Sequence, residues 1–402
     1  MLSLRRGFIL GFTLCVLACL GGCRRPATAV LAHEERANPD VVPHLRDADD
    51  MGRFIAGLPA TPGSPLATLQ ASDAWREHRR QLDEVWGKAE GSLIKGLEDF
   101  QHQELNQAPL QSSLVFYPFG GPDALTLTLC FPQNATYVMV GLEPAGTLPG
   151  IPQIEKRGLP KYLAEMRNAV DSELSRSFFV TRQMDRQFRG QITDGLLLPI
   201  LHLLVRRHNT ILGFRYVRLD DQGQVIDRTV DYKAPTRFGN KGVEIEFRAD
   251  TGQSTHKLYY FSVNLADDRL SENAPFLTYI ASLKGATTLL KATSYMTHRS
   301  EFSLIREKIL ATSAAILQDD SGIPFRYLQT GDWKVQLYGD YQRPYGSFRW
   351  LEQPDLRKAY QSDGPRPLSF RVGYGYSRVT SNLLVAQRIN LLASASPREP
   401  HP

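Results

Sequence analysis

The chain has 402 residues, 42% apolar and 10% aromatic, enough for one large or two ordinary domains with a real core, which excludes wholesale disorder. The formal net charge is only +5 and the basic residues are scattered among acids, so no electrostatic footprint for nucleic acid is present. Three of the 4 cysteines (Cys15, Cys19, Cys23) fall at the amino terminus, leaving Cys130 alone in the body; an internal disulfide is excluded, and no CxxC or HExxH spacing predicts a metal site.

At the amino terminus Arg5 and Arg6 precede an apolar stretch over 8–20, short for a bilayer crossing, and Leu20-Gly21-Gly22-Cys23 places small residues before a cysteine. This pattern resembles a bacterial lipoprotein signal. The resemblance implies cleavage before Cys23, a lipid on Cys23, and a membrane-anchored protein of the cell envelope facing the periplasm or exterior. The alternative is an uncleaved amino-terminal anchor; either exports the body of the protein.

Residues 24–69 are rich in Pro, Ala, Asp and Arg with little periodicity and read as a tether, of which 49–58 is expected to pack on the body. Ser72 is placed to cap a helix over 73–105 whose apolar face carries Trp75, Leu82, Trp86, Leu93 and Leu97, and 70–110 is expected to be an amino-terminal helical arm. Tryptophans at helical spacing are expected in the core.

The segment 112–149 is the centre around which the rest of the chain is organised. Residues 114–119 form an apolar, aromatic run too short for a helix and bounded by Gly120-Gly121, as expected of a buried central strand. Pro122 suits the first helical position and Asp123 the first turn, and a helix is predicted to about Phe131 before Pro132 stops it. A second strand over 136–142 ends at Glu143, 22 positions after Gly121. Backbone N–H groups at Gly120, Gly121 and Asp123 and the Glu143 carboxylate are therefore the candidate cofactor-binding set of a nucleotide-type crevice. A tight turn with no ligand is the alternative. A full G-x-G-x-x-G is missing, and Asp123 repels a phosphate at that helix start. The cofactor is left open.

Helical patterns come next over 159–176 and 193–205; the second is apolar all round, so His202 within it is expected to be a hydrogen-bonded core residue. Hairpins are predicted from 212–219 with 225–230 and from 243–249 with 256–265, giving an antiparallel extension or insertion near 211–255. Then come a helix over 276–283, a strand over 287–293, a helix over 301–314 and a strand over 315–317, an alternation that argues for a parallel sheet covered on both sides. A hairpin of 325–328 with 334–341, a short helix near 354–360 and a strand over 369–376 complete the body, and 391–402 read as a disordered tail.

The fold expected is α/β: a Rossmann-like, mostly parallel sheet over 111–390 flanked by helices, with the helical arm and the antiparallel extension. In such a sheet, polar groups at the carboxyl ends of the strands share one rim. That rim carries Asp123, Glu143, Asp267, Asp268, Tyr295, His298 and Asp319-Asp320-Ser321. His298 with Asp319 is the candidate catalytic acid–base pair. The competing readings are a helix-capping role for His298 and a plain turn at 319–324. Ser262 and Ser294 lack nucleophile-elbow spacing.

The sequences YPFGGPD at 117–123, GLEPAG at 141–146, LYYFSVNLADD at 258–268 and QDDSGIP at 318–324 resemble a group of uncharacterised bacterial secreted lipoproteins, over nearly the whole chain. That resemblance implies an envelope protein and no particular activity. A looser similarity, confined to 114–143, is to class I methyltransferases, and implies an S-adenosylmethionine crevice at Gly120, Gly121 and Glu143. The expected function is a lipid-anchored envelope protein binding a ligand or partner at the strand-end rim. The alternatives are an envelope hydrolase using His298 and a methyltransferase-like protein.

Overall fold

The computed structural model describes residues 45–106, 110, 112–179, 195–228, 240–362, 364–377 and 380–389. The expected signal with Cys23, and the expected tail over 391–402, lie outside them. Among the described residues no helix is long and apolar enough to cross a membrane.

Ten strands form one mixed sheet: β1 (Leu114–Pro118), β2 (Thr136–Gly141), β3 (Asn209–Leu219), β4 (Val225–Asp227), β5 (Lys241–Ala249), β6 (His256–Ser262), β7 (Ala286–Leu290), β8 (Ser313–Gln318), β9 (Trp333–Gly339) and β10 (Asn382–Arg388). Their order is β4-β3-β5-β6-β2-β1-β7-β8-β10-β9. The middle strands β6, β2, β1, β7 and β8 run parallel, with Phe116 of β1 opposite Val138 on one side and Thr288 on the other. Both wings are antiparallel.

The middle strands are buried on both faces because their alternate residues feed two cores. Val115, Tyr117, Tyr137, Met139 and Leu289 face one cluster, together with the helices Leu45–Ile55, Asp73–Ala89, Leu159–Arg176 and Leu197–Arg206. Phe116, Val138, Val140, Leu290 and Ile316 face the other, with the helices Ala274–Ser282, Ser303–Thr312 and Pro354–Ser362. The chain builds β1, β2 and β6 outward on one side, then returns to place β7 and β8 on the other side of β1. The strand order therefore reverses between β1 and β7, the place where open α/β sheets form a crevice.

Several expectations need correction. The sheet is mixed, with antiparallel pairs outnumbering parallel ones, so the expected mostly parallel, Rossmann-like sheet is not what forms; only the middle strands run parallel. Of the two readings of the segment near 211–255 the extension is the one that forms: β5 pairs with β6, and β3 and β4 extend the same sheet. The tether reading fails from Leu45 onward, because Leu45–Ile55 is a helix whose Asp49 accepts the Ile211 N–H at 2.8 Å, a bond that locks it to β3. Phe325–Tyr327 is a single 3-10 turn, and β9 pairs with β10, not with 325–328. Gly373–Ser377 is also a 3-10 turn in place of the expected strand.

The arm keeps its predicted pattern. Ser72 Oγ accepts the Trp75 N–H, and Trp75, Leu82, Trp86, Leu93 and Leu97 are all buried, with π-helical turns at Glu90–Ile94 and Gln101–Leu105 interrupting the regular helix. His202 is a core residue: its Nε2 accepts the Trp86 indole N–H at 3.2 Å, its Nδ1 lies 3.2 Å from the Ile55 carbonyl, and burial pulls its pKa down to about 3.

Candidate functional site

Beyond β1 the chain turns sharply through Phe119 (φ 65°), Gly120 and Gly121 (φ 55°). A Cβ at Gly120 would sit 2.7 Å from the Tyr117 ring, so only glycine lets the turn fold back over that tyrosine. Asp123 then caps the helix Ala124–Cys130, accepting the Thr126 N–H at 2.9 Å. Its other oxygen accepts the Tyr117 hydroxyl at 2.8 Å and the Lys291 ammonium at 2.7 Å. Lys291 comes directly after β7. Its Nζ also donates to Glu173 Oε1 and to Thr126 Oγ1, both at 2.8 Å, which uses all three ammonium protons.

Asp123, Glu173 and Lys291 form a buried ion cluster across the reversal of strand order. Removing three charges from water costs several kcal/mol per ion unless each is well partnered. Two carboxylates and one ammonium carry an excess negative charge, and the weakest-held acid takes up a proton. Glu173 is that acid: burial first, and then the neighbouring Asp123 charge, push its pKa up to about 8 against the pull of Lys291. Burial alone would lower the Lys291 ammonium, but the two adjacent carboxylates raise it above its ordinary value. Glu173 Oε2, fully buried, accepts no hydrogen bond, and the acceptor beside the carboxyl proton is the Asp123 carboxylate.

A cavity of about 230 Å³ opens over this cluster at the carboxyl ends of β1, β2, β6 and β7. Asp123, Glu173 and Lys291 line it, with Gly120 and Gly121, Glu143 beyond β2, Asn264 beyond β6 and Ser294 beyond β7. Phe119, Phe178, Phe179, Phe302 and Tyr374 supply its aromatic walls.

The loop beyond β7 is strained. Ala292, Ser294 and Tyr295 all have positive φ (51°, 55° and 53°), a conformation that costs an L-residue roughly 1–2 kcal/mol. Residues beyond β8 hold it there. Asp319 Oδ2 accepts the Ala292 N–H at 2.8 Å, Ser321 Oγ accepts the Thr293 N–H at 2.8 Å, and Asp320 Oδ2 accepts the Tyr295 hydroxyl at 2.5 Å. From the opposite side the Tyr374 hydroxyl accepts the Ser294 N–H and donates to the Ala292 carbonyl, each at 3.1 Å. Burial, and then the Asp319 charge, raise Asp320 to about 7, and burial raises Asp319 as well.

The four residues expected to bind a cofactor, Gly120, Gly121, Asp123 and Glu143, thus line one cavity. The Asp123 carboxylate is committed to the helix cap, Tyr117 and Lys291. The expected catalytic pair is not assembled: Asp319 spends its carboxylate on Ala292 and on the Ser321 N–H and hydroxyl, no hydrogen bond joins it to His298, and neither residue lines the cavity. The His298 ring packs edge-on against Tyr295, with centroids 5.1 Å apart, and burial lowers its pKa to about 4. Asp267, expected on the rim, caps Ser303–Thr312 by accepting the Ser303 and Leu304 N–H groups at 3.1 and 3.0 Å.

Sequence reasoning missed Lys291 and Glu173. Lys291 had a signal, a cation at the end of the apolar run Thr287-Thr288-Leu289-Leu290. Glu173 had none, since it is one of several acids on an amphipathic helix. Compared with known protein families, characterised proteins and solved structures, the chain matches none.

Proposed function

We propose that the chain is a lipid-anchored protein of the bacterial cell envelope whose α/β domain binds a small ligand in the crevice beyond β1, β2, β6 and β7. One observation carries the binding reading. A preformed, aromatic-walled cavity ends on a fully buried carboxyl, Glu173, one of whose oxygens accepts no hydrogen bond. Buried polar groups are nearly always satisfied, and ligand sites combine apolar walls with a few polar groups of perturbed pKa. The separation of His298 from Asp319 disfavours the hydrolase alternative. The lipid anchor rests on the residues before Cys23.

The binding reading is tested by a ligand-observed NMR screen of small polar compounds against the full chain and its Glu173→Gln variant. Compounds that bind the wild type and lose affinity in the variant support it; hits indifferent to Glu173 overturn it. Membrane fractionation with intact mass tests the anchor: lipid mass on the wild type, absent from a released Cys23→Ala variant, is expected.

One observation favours a second reading. Gly120, Gly121 and Glu143 border a single cavity, as an S-adenosylmethionine crevice requires. Against it, Asp123 already caps the helix start that such a crevice leaves open. Titration with S-adenosylmethionine decides between the two.

A further inference from the structure

If the crevice is a ligand site, its chemistry narrows the ligand. The charged side chains on its lining are Asp123, Glu143, Glu173 and Lys291, three acids to one cation, and Lys291 has no proton left to donate. An anion would meet the Asp123 and Glu143 carboxylates with no ammonium proton free to receive it. The walls are π-rich: Phe178 packs edge-to-face on Tyr374 with centroids 5.1 Å apart, and Phe119 on Phe302 at 5.9 Å. Aromatic faces attract cations, the more so where water is excluded. Glu173 Oε2, at 0% residue exposure, accepts no hydrogen bond, and with Oε1 taken by Lys291 it is the oxygen that carries the carboxyl proton, beside Asp123.

We propose that the crevice binds a small organic ammonium ion, its N–H directed to Glu173 Oε2 and its apolar body held among Phe119, Phe178, Phe302 and Tyr374. The inference rests on reading the crevice as a ligand site and adds the ligand's chemical class. It also sets a proton balance. The free site keeps a proton on Glu173, and the arriving ammonium takes over its role of neutralising the second carboxylate. The proton leaves to solvent, and the Glu173 carboxylate pairs with the ligand. Binding therefore releases up to one proton and tightens as pH rises toward about 8, where Glu173 is already ionised.

The test is titration of the full chain with isoamylamine, an ammonium ion near neutral pH, beside isoamyl alcohol, its neutral counterpart of the same heavy-atom count. The amine is expected to bind at least about tenfold more tightly than the alcohol, and Glu173→Gln to remove that preference. Phe178→Leu, which leaves the ion cluster intact, should weaken the amine severalfold. Calorimetry in two buffers of different ionisation heat should show proton release in the wild type and none in Glu173→Gln. Equal binding of amine and alcohol overturns the ammonium assignment while the ligand site stands. Failure of the amine to bind overturns the assignment too, and failure of both probes together with an empty NMR screen removes the ligand site itself.

Discussion

Lys291 Nζ lies 2.7 Å from Asp123 Oδ2, which ties the chain just past β7 to the chain just past β1 where the order of parallel strands reverses. The pair is 3% and 2% exposed at its side chains, so neither charge has water to fall back on. Lys291→Met should therefore lower stability by about 3–5 kcal/mol in urea unfolding, because it leaves buried acid unpaired. Adding Asp123→Asn and Glu173→Gln should recover much of that loss, since a neutral cluster has no charge to compensate. A triple variant as unstable as Lys291→Met would show that packing, not charge, is responsible.

The pH dependence originates in Glu173. Its folded pKa is raised from 4.5 to about 8, so between those values the folded state holds a proton that the unfolded chain has released. The stability this contributes is fully present below about pH 4.5 and is lost as pH rises to about 8. Thermal melts of Glu173→Gln should lack this downward slope relative to wild type. An unchanged slope would place Glu173 in an ordinary ionised state. His78, His202 and His298 act in the opposite sense. Burial lowers them to about 4, 3 and 4, so they subtract stability as pH falls below the ordinary histidine range near 6.5.

Gly373 has φ 57°, and a Cβ placed there would lie 2.4 Å from Asp319 Oδ2. Gly373→Ala should cost about 1–3 kcal/mol, from backbone strain and from pushing on the carboxylate that holds the Ala292 N–H. Gly121→Ala is a useful contrast, because its φ is also positive while the space around it is open. Its cost should be the backbone contribution alone, roughly 1 kcal/mol. Equal costs at the two sites would argue that the Asp319 contact is soft.

Cys130 is buried on the helix Ala124–Cys130, and burial raises its thiol pKa to about 12. Iodoacetamide at mildly alkaline pH should leave it unmodified in the folded protein and alkylate it in denaturant, as peptide mapping would report. Modification under native conditions at the denatured rate would contradict its burial.

The parts of the fold legible in the sequence were those with a strong local period. Residues 114–118 and 136–141 are apolar on both faces and could only be buried strands, and Ser72 with Trp75, Leu82 and Trp86 announces a capped amphipathic helix. The rim was legible too, because strand ends in a parallel core share one edge, which is why Gly120, Gly121 and Glu143 come together. What was lost was non-local. β10 is an apolar run at the polar end of the chain, and its insertion between β8 and β9 is a long-range pairing that no turn signal marks. Glu173 acquires its chemistry only from burial beside Lys291, 118 residues away in sequence. Asp319 looked free to act as an acid because a sequence does not show which backbone N–H groups will claim a carboxylate.

The place of β10 also constrains the order of assembly. It is the last of the described strands, yet it lies between β8 and β9, and its Asn382 side chain accepts the Asp320 N–H at 2.8 Å. β9 is made earlier but can join the sheet only through β10. A chain emerging from its amino-terminal end therefore cannot finish the clamp behind the crevice until almost all of it has been delivered. The crevice is therefore completed late, and a nascent chain that still lacks β10 lacks its finished rim.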